Sequence, residues 1–352
     1  MLTMSIGGVS LGQRALLARH LAIMLKAGLS LTESLAIAKD SVKGMLKNIL
    51  EDVSRSVTSG RSFADSLLDH QRHFSGIFIS AVRAGEVSGT LEINLEHLAV
   101  QLEKDRAIAS KVKGAMLYPI IVLVATFGLG LVIAFFVLPQ IVPLFIGMKA
   151  ELPITTRMLI AFSALIQNHG KALLLGIVLA IIFLFWLSRQ PFVKPLTHGL
   201  LLRLPIIRPI TQATNLARFS RTLGMLLKSG LRIDEAIEIM KTTLGNVYYK
   251  RAMNELGMRV TKGSTLHEIL EHHPNIFPMV LVHMVRVGEE SGKLDETLLY
   301  LGDYYESEVD NATKALSTII EPLLLIFIGL AVGFLALSII TPIYNITGGV
   351  RR

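Results

Sequence analysis

Residues 83–89 read RAGEVSG, and residues 286–292 read RVGEESG. The phrase returns 203 positions later because a much longer stretch returns with it. RHLAIMLKAGLSLTESL from Arg19 aligns with RTLGMLLKSGLRIDEAI from Arg221, placing Lys26, Gly28 and Glu33 on Lys228, Gly230 and Glu235. One inserted residue later, GRSFADSLLDHQRHFSGIFISAVRAGEVSGTL from Gly60 meets GSTLHEILEHHPNIFPMVLVHMVRVGEESGKL from Gly263. Phe74 then falls on Phe277, Gly85 on Gly288, Leu91 on Leu294 and, farther on, Pro119 on Pro322. Self-similarity over such a length is the mark of a duplicated structural unit.

Each unit runs into an apolar segment. The chain has 352 residues, 51% of them hydrophobic, and a mean hydropathy of +0.55, above what an ordinary soluble domain carries. Met116–Leu138 lies in a stretch without Asp, Glu, Lys or Arg and is long enough to cross a hydrocarbon layer of about 30 Å as a helix. A second run, Ala172–Leu187, lengthens if the Lys171 ammonium reaches the headgroups along its own stem. The third charge-free run goes from Pro322 to Val350. Three crossings are expected, with the chain ends on opposite sides.

Lys104, Arg106, Lys111 and Lys113 precede the first run. Arg189, Lys194, Arg203, Arg208, Arg218 and Arg221 follow the second, and no acid intervenes before Asp234. By the positive-inside rule both flanks are expected in the cytoplasm, with Arg351 and Arg352 against the rule at the far end. The net charge of +8 is therefore read as a membrane-flank signal rather than a nucleic-acid surface. There are no cysteines, which excludes disulfides and thiolate metal sites. MLTMSIGGVSLGQ lacks the apolar core of a secretory signal, so the first repeat is expected to stay in the cytoplasm.

Both repeats show helical periodicity and no sustained alternation. Leu17, Leu21, Met24 and Leu25 lead to Gly28, placed with its counterpart Gly230 to close a helix at positive φ. Ser30 and Glu33 form an S-x-x-E capping box for the next helix. About six short helices per repeat are expected. Within that frame GEVSG reads as a turn in which Gly85 ends one helix and Ser88 caps the next. A turn does not require an acid followed by serine in both copies. Gly85, Glu86, Ser88 and Gly89, with Gly288, Glu289, Glu290, Ser291 and Gly292, are therefore candidate partner-docking or inter-repeat loops.

The sequence contains no G-x-x-x-x-G-K-[ST] phosphate loop, so any energy for mechanical work must come from another chain. HEILEHH from His267 has Glu271 where a zinc-binding HExxH helix needs its second His. No catalytic, cofactor or metal site is assigned. A transporter or channel subunit is the alternative, but the cores of the apolar runs lack the ionisable groups that solute pathways use. Gly329 and Gly333 form a G-x-x-x-G pair expected to pack against the first two spans.

The paired KAG and KSG turns, the paired GEVSG and GEESG turns, Tyr118 with Pro119, Glu321 with Pro322, and the three-run layout together resemble the inner-membrane platform proteins of type II secretion systems and type IV pilus assembly machines. The resemblance runs from about Leu16 to Tyr344. It implies an all-α membrane protein with two homologous cytoplasmic helical bundles, at 1–114 and 189–318. Transmembrane helices are expected at 115–138, 166–188 and 319–343, a short outer loop at 139–165 and an outer tail at 344–352. Tyr118, Pro119, Glu321 and Pro322 would stand where two spans begin. The resemblance further implies a non-enzymatic, multi-pass hub of the bacterial cytoplasmic membrane on which a hexameric cytoplasmic ATPase docks. Pilins or pseudopilins and other inner-membrane assembly proteins would be its partners, and homo-oligomerisation is expected. Many members carry some tens of residues before the first repeat, whereas here the repeat begins close to Met1.

Overall fold

The computed structural model describes residues 8–137, 139, 140, 143, 154–188, 190 and 192–349, and these are helices joined by short turns, with no strand among them. The first repeat comprises α1 (Leu11–Lys26), α2 (Leu31–Asp40), α3 (Met45–Thr58), α4 (Phe63–Leu68), α5 (Gly76–Ser88) and α6 (Leu91–Val132), with a π-helical turn at Ile133–Val137. Next come α7 (Ile154–Ser188) and α8 (Lys194–Arg203). The second repeat comprises α9 (Arg208–Lys228), α10 (Ile233–Thr243), α11 (Val247–Val260), α12 (Leu266–Glu271), α13 (Met279–Glu290) and α14 (Leu294–Gly349).

Turn chemistry sets the helix ends, and it is duplicated. The amide of Gly28 donates to Leu25 O and that of Leu29 to Met24 O, the paired reverse bonds of a Schellman motif. Gly230 and Leu231 repeat the pattern on Leu227 and Leu226. Gly28 and Gly230 have φ of 88° and 83°, as the closing position requires. The Ser30–Glu33 capping box is present in full: Ser30 Oγ accepts from the Glu33 amide, and Glu33 accepts from the Ser30 amide. The Ser30 hydroxyl, which donates to the Glu33 carboxylate at 2.7 Å, and then the Ser30 amide hold that carboxyl below its ordinary pKa.

The chain divides into two compact units. One contains both repeats, Met1–Val112 and Pro195–Ala312; the other contains Lys113–Lys194 and Thr313–Arg352. In the first unit consecutive helices pack on one another from α1 to α5 and from α9 to α13, and α5 also packs on α10. Phe74 and Phe277 are both fully buried. Phe74 meets Phe78 at 4.8 Å between ring centres, while Phe277 meets Phe219 and Tyr249 at 5.2 and 5.5 Å. The aromatic partners have changed places around a retained ring, and each such ring contributes roughly 1.5–3 kcal/mol by burial.

The second unit holds the apolar runs. Among the described residues two helices are long and apolar enough to cross a membrane, Leu91–Val137 and Leu294–Ser338, while Val178–Ser188 is a shorter apolar segment within α7. The helix α7 begins at Ile154, inside the stretch expected to be a loop up to residue 165, because nothing from Ile154 to His169 interrupts a helix once Pro153 is passed. Near its start Thr156 donates to Ser338 O at 2.8 Å. The last helix continues to Gly349, through part of the expected tail; residues 350–352 and most of 138–153 lie outside the described residues. A Cβ added at Gly329 or Gly333 would meet no atom within 4 Å.

Candidate functional site

The duplicated acids lie in helices rather than in a loop. The helix α5 runs through Glu86 to Ser88 and closes at Gly89, whose φ is 69°, and α13 closes in the same way at Gly292, φ 68°. Gly85 therefore does not end its helix, and Ser88 does not cap the next one; its hydroxyl donates to Ala84 O at 2.7 Å. Gly85 is needed for close approach: a Cβ there would lie 2.7 Å from Leu91 Cα. At Gly288 an added Cβ would meet Thr297 Cβ at 3.0 Å and Leu294 Cα at 3.1 Å. Each glycine lets the following long helix start against its predecessor.

Glu86 and Glu289 face inward along the same surface. The two Glu86 carboxylate oxygens accept from the Phe63 and Ala64 amides at 2.6 and 2.8 Å, at the first turn of α4. Glu289 accepts from the Leu266 and His267 amides at 2.6 and 3.0 Å, at the first turn of α12, and also contacts His267 Nδ1 at 2.6 Å. Helix-initial amides have no partner within their own helix, and a carboxylate is the strongest acceptor available to them. The repeated acid thus ties the α5 or α13 end to the short helix 22 or 23 residues before it in sequence. Val87, Ser88, Gly89, Glu290, Ser291 and Gly292 form exposed rims of these turns.

A second duplicated feature is ionic. Arg19 of α1 pairs with Glu96 and with Glu103 of α6, its Nη2 lying 2.6 Å from Glu103. These bonds lower the Glu103 pKa and raise that of Arg19. The counterparts Arg221 and Glu306 pair at 2.7 Å, but here the side chains are only 6% and 12% exposed. Arg221 also reaches Asp303 at 2.7 Å. Covering this pair are residues of the first repeat: Lys104 Nζ lies 2.9 Å from Glu306, and Lys111 lies 2.8 Å from Asp310. Asp105 meets Arg218 at 3.3 Å, and Gln101 donates to Thr222 at 3.1 Å. Gly302 admits the Arg221 backbone, since an added Cβ would lie 2.9 Å from Arg221 Cβ.

The α6–α9–α14 contact is thus a polar seam between the repeats. Lys104, Lys111, Arg218 and Arg221, read from sequence as membrane-flank charges, each have a carboxylate partner here. The alignment relates only the pair within each repeat, Arg19 falling on Arg221 and Glu103 on Glu306. Tyr118 and Pro119 lie inside α6 and Glu321 and Pro322 inside α14, neither proline interrupting its helix.

The family model for type II secretion system protein F matches this chain twice, over residues 17–139 and 219–342. The chain belongs to the type II secretion system protein F family. Its two matches coincide with the two repeats and the long helices that leave them. The type IV pilus assembly protein PilC of Thermus thermophilus is 37% identical over 343 residues, covering 97% of this chain and 84% of that protein. PilC of Myxococcus xanthus is 32% identical over 346 residues, 98% and 83% of the two chains. The type II secretion system protein F of Aeromonas hydrophila is 34% identical, again over 346 residues, covering 98% and 89%.

Proposed function

We propose that this chain is the inner-membrane platform of a type IV pilus or type II secretion machine, coupling a cytoplasmic assembly ATPase to the polymerisation of pilins or pseudopilins. The observation that carries the reading is the uninterrupted course of α6 and α14. Each starts in a polar helical bundle and continues into an apolar run, over 42 and 56 residues respectively. At 1.5 Å per residue such helices extend roughly 60 and 85 Å, long enough to join a cytoplasmic bundle to a span. A displacement imposed on the bundles has a continuous mechanical element along which to travel. In this reading α7 supplies a third span, the repeats lie in the cytoplasm and the C-terminus lies outside. The chain performs no chemistry itself and takes its energy from the ATPase. The exposed rims around Val87–Gly89 and Glu290–Gly292 are the proposed contacts for assembly partners.

Deletion of the gene in the native host, followed by filament counting and secretion assays, tests the proposal. Filaments or pseudopilus-dependent secretion should disappear while ATPase and pilin levels stay normal, and the full chain should restore them. Undiminished filaments and secretion would refute it.

A further inference from the structure

The two repeats are joined by unlike faces, and each leaves one face uncovered. The donor face belongs to α5 and α6 of the first repeat, which cover α9 and α10 of the second. As a result every residue of α9 from Phe219 to Leu226 is buried. The equivalent surface of α1 is bare: Ile23 is 55% exposed, whereas its counterpart Met225 is 3% exposed. Leu16 and His20 are exposed beside Ile23, while Thr222, the counterpart of His20, is fully buried.

The complementary asymmetry appears at the other end. Gln101 of the donor face is 2% exposed, and its counterpart Tyr304 is 44% exposed. Ile77 is buried, whereas its counterpart Val280 is exposed, as is Tyr300. Among the described residues, one molecule therefore carries an exposed acceptor face on its first repeat and an exposed donor face on its second, each the duplicate of a surface engaged inside the chain. Exposed apolar clusters of this kind mark interaction surfaces.

We propose that a second copy of this chain docks head to tail, its α13–α14 face seating on the α1–α2 face of its neighbour. The contact copies the internal one, so its occupant and register follow from the repeat. Tyr304 takes the place of Gln101 and meets His20 in the place of Thr222. The half-exposed Arg19–Glu103 pair becomes covered as α6 covers Arg221–Glu306. Such an interface is heterologous, and closed assemblies of it are rings in which repeats alternate. The inference is independent of which machine the chain serves.

Because the protein has no cysteine, paired substitutions can report the contact directly. Full-length His20→Cys and Tyr304→Cys chains, carrying different tags, are expressed separately and together in native membranes and oxidised. The expected result is a shift of the monomer band to twice its mass in the mixed sample, with a product carrying both tags that exceeds either homotypic product. A homotypic product of either variant equal to or above the mixed one would show a twofold pairing and overturn the proposal. Absence of any cross-link would also overturn it.

Discussion

Glu86→Ala should loosen the start of α4 without touching the membrane helices. The carboxylate accepts two backbone N–H bonds at 2.6 and 2.8 Å, and the residues that donate them, Phe63 and Ala64, have fully buried side chains. Hydrogen bonds to a charged group contribute about 1.5–3 kcal/mol each, and removing the acceptor leaves the donors to whatever water can reach them. Allowing for partial rehydration, the loss is about 3 kcal/mol, or roughly a hundredfold rise in the local opening constant. Glu86→Gln keeps a neutral carbonyl acceptor and should cost about half as much. Hydrogen exchange with mass spectrometry on the detergent-solubilised full chain reads this in peptides spanning residues 60–70. Glu289→Ala should do the same to peptides around Leu266. Unchanged exchange in both Ala variants, together with lost filament assembly at normal membrane levels, would refute the inward-facing role and assign both carboxylates to a partner.

The ionic seam predicts an asymmetry between equivalent residues. Arg221→Ala takes the most buried cation from Glu306, which is 12% exposed and keeps Lys104 at 2.9 Å, and should lower stability by about 1.5–3 kcal/mol, whereas Arg19→Ala, at a more exposed site, should cost about 1 kcal/mol or less in thermal or denaturant melts. Gly28→Val and Gly230→Val place a β-branched residue at φ of 88° and 83° and should each cost about 2 kcal/mol, read as a lower melting temperature and reduced membrane abundance. Burial lowers the His97 pKa, Lys228 of the second repeat lowers it further, and Glu96 opposes the shift. The unfolded chain then takes up this proton at higher pH than the folded one. Stability should be complete above the ordinary imidazole value and decline as pH falls through it. His97→Gln should flatten that decline in melts recorded across this range.

The duplication, the helical class and the Gly28 and Gly230 closures were legible because each depends on local sequence: periodicity, a capping box and a glycine at a fixed offset. The end of α5 was not. Gly85 looks like a helix terminator in sequence, yet the close approach of Leu91 required a residue without a Cβ inside the helix, and Gly89 took the terminal role. Glu86 reads from sequence as a partner-docking or inter-repeat residue, whereas its carboxylate meets Phe63 and Ala64 of its own repeat, 23 and 22 positions away and beyond local reading. The seam was hidden differently. Lys104 and Arg221 lie near apolar runs, so the positive-inside rule accounted for them before any carboxylate partner was sought. Only the register of α6 against α14 brings Lys104 to Glu306.

The most direct test of the platform reading is gentle-detergent purification of the tagged full chain from its native host, with the co-purifying proteins identified by mass spectrometry. The account predicts that a hexameric secretion-type ATPase and pilin or pseudopilin subunits accompany it. Recovery of neither, with purified protein in liposomes conducting an ion or solute, would contradict the account and establish the transporter alternative.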